Sequence, residues 1–264
     1  AHPLMTLFDS HAHYWDEKLK DDACTLIPAF FAAGGAGIVN VGTSPETSRL
    51  AAEQARVYPH MVTALGIHPT DAAALTGTPG EEVDRIRAML RDPANRTVAV
   101  GEIGLDYHWE PFDRRLQQTY FDLQMELARE TRLPVVVHDR DAHGDSFDTA
   151  RRYPDVRGVF HSYSGSAEEA IDLCRRGWYI SFSGTLTFKN ARRVREVAAA
   201  VPRDRILIET DAPYLTPHPH RGERNDSGYL HFTCEALAEV FGVTPEEASA
   251  ITFANARTLF RLPF

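Results

Sequence analysis

The stretch Phe8-Asp9-Ser10-His11-Ala12-His13 is a short run with an apolar start that closes on two histidines spaced i, i+2. In a β-strand such residues point to the same face, so His11 and His13 present two imidazoles to one point. Imidazole is the commonest protein ligand for zinc and its neighbours, and the pair predicts a metal site at a strand's end. Surface strands carry histidine pairs as well, so its weight depends on what the rest of the chain supplies.

Outward from this strand, a helical pattern runs through Leu26, Ile27, Phe30 and Phe31 and stops at Gly34-Gly35. Residues 37–42 (GIVNVG) form a continuous apolar strand. Ser44-Pro45-Glu46 then supplies an N-cap and a first-turn proline for a helix reaching about residue 58. Further strands are expected at 61–66, 97–101, 133–138, 156–160, 178–182 and 205–208. Helices are expected at 81–91 and along Leu116, Tyr120, Leu123, Met125 and Leu127. A capping box at residues 166–169 opens another, and Thr244-Pro245-Glu246-Glu247 opens one in the tail. Residues 71–80 read as loop. Eight β-then-α steps with near-continuous Val/Ile/Leu strands predict an α/β protein with a parallel sheet, and specifically a (β/α)8 TIM barrel. A doubly wound open sheet is the alternative. No linker or low-complexity segment divides residues 1–264, which read as a single domain.

Barrels of this kind gather their chemistry at the C-terminal ends of the strands. There the chain places His11 and His13 on the first strand, Glu102 on the fourth, His138 on the fifth, His161 on the sixth and Asp211 on the eighth. Six nitrogen and oxygen ligands are too many for one tetrahedral zinc, but they suffice for two ions sharing a carboxylate. Glu102 is the best bridge, because each carboxylate oxygen can hold one ion. Imidazole with carboxylate and no thiolate suits zinc, manganese, iron or magnesium alike.

Composition narrows the class. Hydrophobic residues at 43% and charged residues at 25% fit a soluble globular protein, and the apolar runs are too short to span a membrane. Residues 1–5 lack a basic region followed by a long apolar one, so no signal peptide is expected, and His2 is left out of the site. Cys24, Cys174 and Cys234, without CxxC spacing, read as reduced, buried thiols of a cytoplasmic protein. The net charge of −9 argues against non-specific coating of nucleic acid. A phosphate-bearing substrate stays open, because bound divalent ions supply local positive charge. Lys18, Lys20 and Lys189 do not follow glycine, which excludes a P-loop, and neither HExxH nor GxSxG occurs.

Seven blocks in order then resemble the signatures of the TatD-related metal-dependent deoxyribonucleases. They are FDSHAH (8–13), GIHP (66–69), GEIGLDY (101–107), VVVHDR (135–140), FHSYSG (160–165), SFSGTLTFKNA (181–191) and ETDAPYL (209–215). The likeness continues to residues 254–260. It implies a distorted (β/α)8 barrel of the amidohydrolase type holding two divalent ions. By this resemblance His11, His13, Glu102 and Asp211 hold one ion, and Glu102, His138 and His161 the other. Many barrel amidohydrolases bridge their metals with a modified lysine on the fourth strand; here Glu102 stands there with no lysine nearby. One stretch departs: where relatives often carry Asn, then Glu or Gln, then Pro, this chain has Asn225-Asp226-Ser227.

The expected chemistry is hydrolysis of a DNA phosphodiester by a metal-bridged hydroxide, with 3′ ends of single strands or damaged sites as targets. Asp211 is expected to accept the water's proton alongside Glu102, and His68 to contact phosphate or protonate the leaving oxygen. Arg140 offers a phosphate contact. Glu209 and Asp106 are expected to orient ligand imidazoles. Tyr14, Trp15, Tyr107 and Trp109 fall on loops where they can stack bases. Lys189, Arg192, Arg193 and Arg195 read as a solvated helix face. An amidase, deacylase or esterase acting on a carbonyl is the alternative, and a full ligand set disfavours a non-catalytic scaffold. No membrane and no obligate protein partner is expected, and a monomer is the default.

Overall fold

The computed structural model describes residues 5–264; His2 lies outside the described residues. The elements run β1 (Leu7–Ala12), α1 (Ala23–Ala32), β2 (Gly35–Val41), α2 (Pro45–Ala55), β3 (Met61–Leu65), α3 (Pro79–Leu90), β4 (Thr97–Asp106) and α4 (Arg114–Thr131). They continue as β5 (Val135–Arg140), α5 (His143–Arg152), β6 (Gly158–Phe160), α6 (Ala167–Arg175), β7 (Tyr179–Phe182), α7 (Arg192–Ala200), β8 (Ile206–Ile208), α8 (Leu230–Phe241) and α9 (Pro245–Phe260). Two compact units emerge, one from residues 5–39 and 161–264, the other from residues 40–160.

In the first unit β7 and β8 pair in parallel, and Ala12 at the end of β1 bridges to Ala212 beyond β8. Helix α9 closes over β1, stacking Phe253 on Phe8 with ring centroids 5.8 Å apart. Its buried Asn255 donates to the Arg203 and Ile206 carbonyls, which ties the helix to the start of β8. The Thr244 cap and Pro245 start α9 as the sequence predicts.

In the second unit β3, β4, β5 and β6 pair side by side, all parallel, with buried apolar side chains along each. Ser44 and Thr78 open α2 and α3 with reciprocal capping boxes. Ser166, by contrast, caps α6 by accepting from the Glu169 N–H. Helix α5 falls in a stretch without strong apolar periodicity; only Ser146, Phe147, Thr149 and Ala150 of HGDSFDTARR are buried.

Two ladders continue past their apolar runs. β4 reaches Asp106 and β5 reaches Arg140, with Gly104 opposite His138 and Asp106 opposite Arg140. Backbone pairing does not require apolar side chains, so the end of a hydrophobic run need not end a strand. His11, Glu102 and His138 therefore lie inside β1, β4 and β5, a correction to the expected positions at strand ends. His13, His161 and Asp211 lie just beyond β1, β6 and β8.

Candidate functional site

Each unit gathers its own cluster of imidazoles and carboxylates. In the first unit, backbone pairing past β8 does the positioning. The Asp211 N–H donates to the His11 carbonyl at 2.8 Å, and the His13 N–H donates to the Ala212 carbonyl at 2.9 Å. Asp211 adopts φ 56°, a left-handed conformation that aspartate tolerates better than most residues. Its Oδ1 lies 3.2 Å from His13 Nε2 and 3.5 Å from His11 Nε2, and the two Nε2 atoms are 3.2 Å apart. Burial pushes the Asp211 carboxyl up, but the His13 hydrogen bond and the nearby His161, His11 and His13 outweigh it and hold it below the usual carboxylate range.

The His161 ring stacks on His11 with centroids 3.9 Å apart. Its Nδ1 lies 2.9 Å from Glu209 Oε1, while Glu209 Oε2 accepts from the Ser181 hydroxyl at 2.7 Å. Both Glu209 oxygens are therefore engaged, as suits a carboxylate that sets the orientation of an imidazole.

In the second unit Glu102 sits where the β4–β5 register shifts, between Gly101 and Ile103. Such a bulge turns a side chain out of its regular alternation, and the Glu102 N–H donates instead to the Gly42 carbonyl. Its Oε2 lies 3.2 Å from His68 Nε2 and 3.1 Å from His138 Nδ1. His138 Nε2 faces Asp106 Oδ2 at 2.7 Å. Burial pushes the Asp106 carboxyl up, but the His138 contact and the His108 N–H outweigh it, so it stays below its ordinary value.

Around an ion with bonds of about 2.1 Å, neighbouring ligand atoms stand about 3.0–3.4 Å apart, from right-angled to tetrahedral. The two separations of 3.2 Å in the first cluster and those of 3.2 and 3.1 Å in the second fall on these edges, and the His11–Asp211 separation of 3.5 Å lies just beyond them. Imidazole and carboxylate without thiolate complete the fit to a divalent ion.

Several supporting residues carry no local signal in the sequence. Buried Asp9 accepts from the Thr210 N–H and hydroxyl, the Ser227 hydroxyl and the His11 N–H. Burial pushes its carboxyl up to about 6 in spite of these donors. The network continues to Tyr14, whose hydroxyl donates to Ser227 at 2.7 Å and accepts the Ser227 N–H at 2.9 Å. Tyr14 is thus fully buried, a correction to its expected place among exposed loop aromatics. On α4, Gln124 holds both backbone groups of Ile67, next to His68, and Gln117 holds both backbone groups of Asp106.

His68 meets Glu102 and His138 directly, so it belongs with the candidate ligands of the second cluster as well as with substrate contacts. Arg140 is exposed at the end of β5 with its guanidinium 5.3 Å from the Trp109 ring centroid. Arg192, almost fully exposed and paired with Glu196, fits the expected solvated helix face, whereas Lys189 lies before α7 and the half-buried Arg195 donates to the Leu186 carbonyl.

Comparison with known proteins decides the family. The model of the TatD related DNase family matches residues 8–261. The chain belongs to the TatD family. An uncharacterized metal-dependent hydrolase of Bacillus subtilis, YabD, is 39% identical over 97% of this chain and 99% of its own. The 3'-5' ssDNA/RNA exonuclease TatD of Salmonella typhimurium is 33% identical over 98% of this chain and 100% of its own. The crystal structure of the Escherichia coli TatD homolog YJJV superposes with a TM-score of 0.90 and 27% identity, covering 97% of this chain and 98% of that one. The fold is accordingly the (β/α)8 barrel, and the protein is a metal-dependent hydrolase of the TatD family.

The Asn225-Asp226-Ser227 stretch, where the resemblance led one to expect a proline, has a structural account of its own. Asn225 Nδ2 donates to the Thr210 and Tyr214 carbonyls, and Ser227 uses both its N–H and its hydroxyl. Hydrogen bonds hold this loop where a proline, lacking the N–H, does so by its ring.

Proposed function

We propose that this TatD-family hydrolase cleaves DNA phosphodiesters, trimming single-stranded 3′ ends, with one divalent ion at each cluster. The observation that carries the reading is the ligand-edge spacing of both clusters, His11–His13–Asp211 and His68–Glu102–His138. The exonuclease name of the Salmonella relative supports the substrate. His161, held by Glu209, joins the ligand set.

Bound divalent ions supply Lewis acidity, lowering the pKa of water and neutralising phosphate charge. Asp211, kept ionised by the histidines around it, accepts the attacking water's proton. Where it does not ligate an ion, His68 contacts the phosphate or returns a proton from Nε2 to the leaving oxygen, with its Nδ1 accepting from the Thr70 N–H and hydroxyl. Arg140 offers guanidinium N–H groups to a phosphate oxygen. No helix among the described residues is long and apolar enough to cross a membrane. The three cysteines are unpaired; Cys174 and Cys234 are buried, but Cys24 is exposed, a correction to the three buried thiols expected. A cytoplasmic monomer working as one domain completes the proposal.

The test is degradation of end-labelled single- and double-stranded DNA with Mg²⁺, Mn²⁺ or Zn²⁺. EDTA is expected to abolish cutting, and Glu102→Ala to slow it more than about a hundredfold, beyond what loss of an outer partner costs. Cutting by Glu102→Ala at the wild-type rate would refute the proposal. So would hydrolysis of p-nitrophenyl acetate without any hydrolysis of bis-p-nitrophenyl phosphate.

A further inference from the structure

Among the aromatic side chains beyond β4, one is held and yet open. Trp109 keeps 60% of its surface exposed, unusual for the largest side chain in a folded domain. Its neighbours are engaged: Tyr107 stacks on Phe112 with centroids 5.1 Å apart, carries Arg114 over its ring at 4.5 Å and donates its hydroxyl to Asp145.

Trp109 is not loose. The His108 ring meets it edge-on with centroids 4.9 Å apart, and Arg140 lies over it at 5.3 Å. His108 is itself fixed by its N–H to Asp106 Oδ1 at 2.9 Å and by Nδ1 facing Asp141 at 3.0 Å. The other oxygen of Asp106 faces His138 at 2.7 Å. One carboxylate therefore anchors both a candidate metal ligand and the segment that carries Trp109. A flat aromatic face held in place beside a cation suits a ligand with a π-face next to a negative charge, because little freedom is lost on contact.

We infer that Trp109, backed by His108 and Arg140, is a stacking platform for a base of single-stranded nucleic acid, with Arg140 taking the adjoining phosphate. The inference rests on the nuclease reading and adds to it a base subsite. Both DNA and RNA present such a face, so the platform ignores the sugar. A paired base has its faces covered by neighbours in the duplex, so the platform favours unpaired ends. Stacking of a base on an aromatic side chain is sequence-tolerant and strong enough to be read by substitution.

Tryptophan fluorescence of the EDTA-treated protein is titrated with oligothymidylate and with oligouridylate, and KM is measured with the metal-replete enzyme on the same oligomers. Trp15 and Trp178 provide an internal background. Wild type is expected to be quenched by both oligomers, and Trp109→Phe to lose most of the quench with KM within about threefold. Trp109→Ala is expected to raise KM about tenfold on both, with kcat changed far less. An oligomer with abasic sugars at its 3′ end is expected to bind wild type and Trp109→Ala equally weakly. Equal KM for Trp109→Ala and wild type on intact oligomers overturns the inference and leaves the nuclease reading standing. A wild-type enzyme that neither binds nor cuts any oligomer removes both. Circular dichroism of Trp109→Ala matching wild type excludes misfolding as the cause of a raised KM.

Discussion

Ser227 stands where the family resemblance led one to expect a proline, and its side chain shows how the loop is held here. Its hydroxyl donates to Asp9 and accepts from Tyr14, and its N–H donates to the Tyr14 oxygen. All three residues are buried, so a lost partner leaves a polar group without water to turn to. Ser227→Ala is expected to cost about 1–3 kcal/mol, and Ser227→Pro more, because it removes the N–H as well. For a chain of this size each kcal/mol corresponds to a few degrees of Tm, which differential scanning calorimetry reads directly. A Ser227→Pro variant as stable as wild type would contradict the network. Asp9 also grips the His11 N–H and Thr210, the residue before Asp211. Nothing local in the sequence reveals this, since its donors Thr210 and Ser227 come from the far end of the chain. The six ligand candidates were legible because imidazoles and acids beside apolar runs are conspicuous. The place of His68 beside Glu102 was not, because a histidine after a strand carries no distance.

Among the elements, the paired edges of β4 and β5 matter most to the second cluster. Gly104 stands opposite His138 at φ +134°, and a Cβ there would lie 1.9 Å from the His138 carbonyl oxygen. Neither the backbone conformation nor the space admits a side chain. Gly104→Ala is expected to destabilise the protein by more than about 2 kcal/mol, seen as a lower urea midpoint, and to weaken binding of the divalent ion proposed for the second cluster. An unchanged midpoint would mean that the two strands are not paired through His138. The eight-fold alternation of strands and helices was readable because buried parallel strands are continuous Val/Ile/Leu runs. Helix α5 was not, for its sequence buries mainly small polar and single apolar residues. Nor were the glutamines of α4, whose amides pair with the Ile67 and Asp106 backbones like a neighbouring strand. A glutamine on an apolar helix face is a weak signal until its partner is known.

At the scale of the whole chain, the candidate ligands come from residues 11 to 211, so a cluster exists only once the chain has folded. An ion that binds the folded state and not the unfolded one adds its binding free energy to stability. At a free concentration a hundredfold above Kd this is about 2.7 kcal/mol per site, or roughly 5–10 °C in Tm. The acidic balance of −9 works in the same direction, since divalent ions bring positive charge to a chain that lacks it. Removing the ions with EDTA is therefore expected to lower Tm, and returning Zn²⁺ or Mn²⁺ to restore it. Metal content after gel filtration separates the clusters. Wild type is expected to carry about two equivalents by emission spectrometry, and His13→Ala and His138→Ala about one each, because each variant strips one ligand cluster. Glu102→Ala is expected to carry about one as well, since it takes a ligand from the second cluster. Two equivalents retained by His138→Ala would show that the second cluster is no metal site. A single equivalent in the metal-replete wild type would end the two-ion proposal.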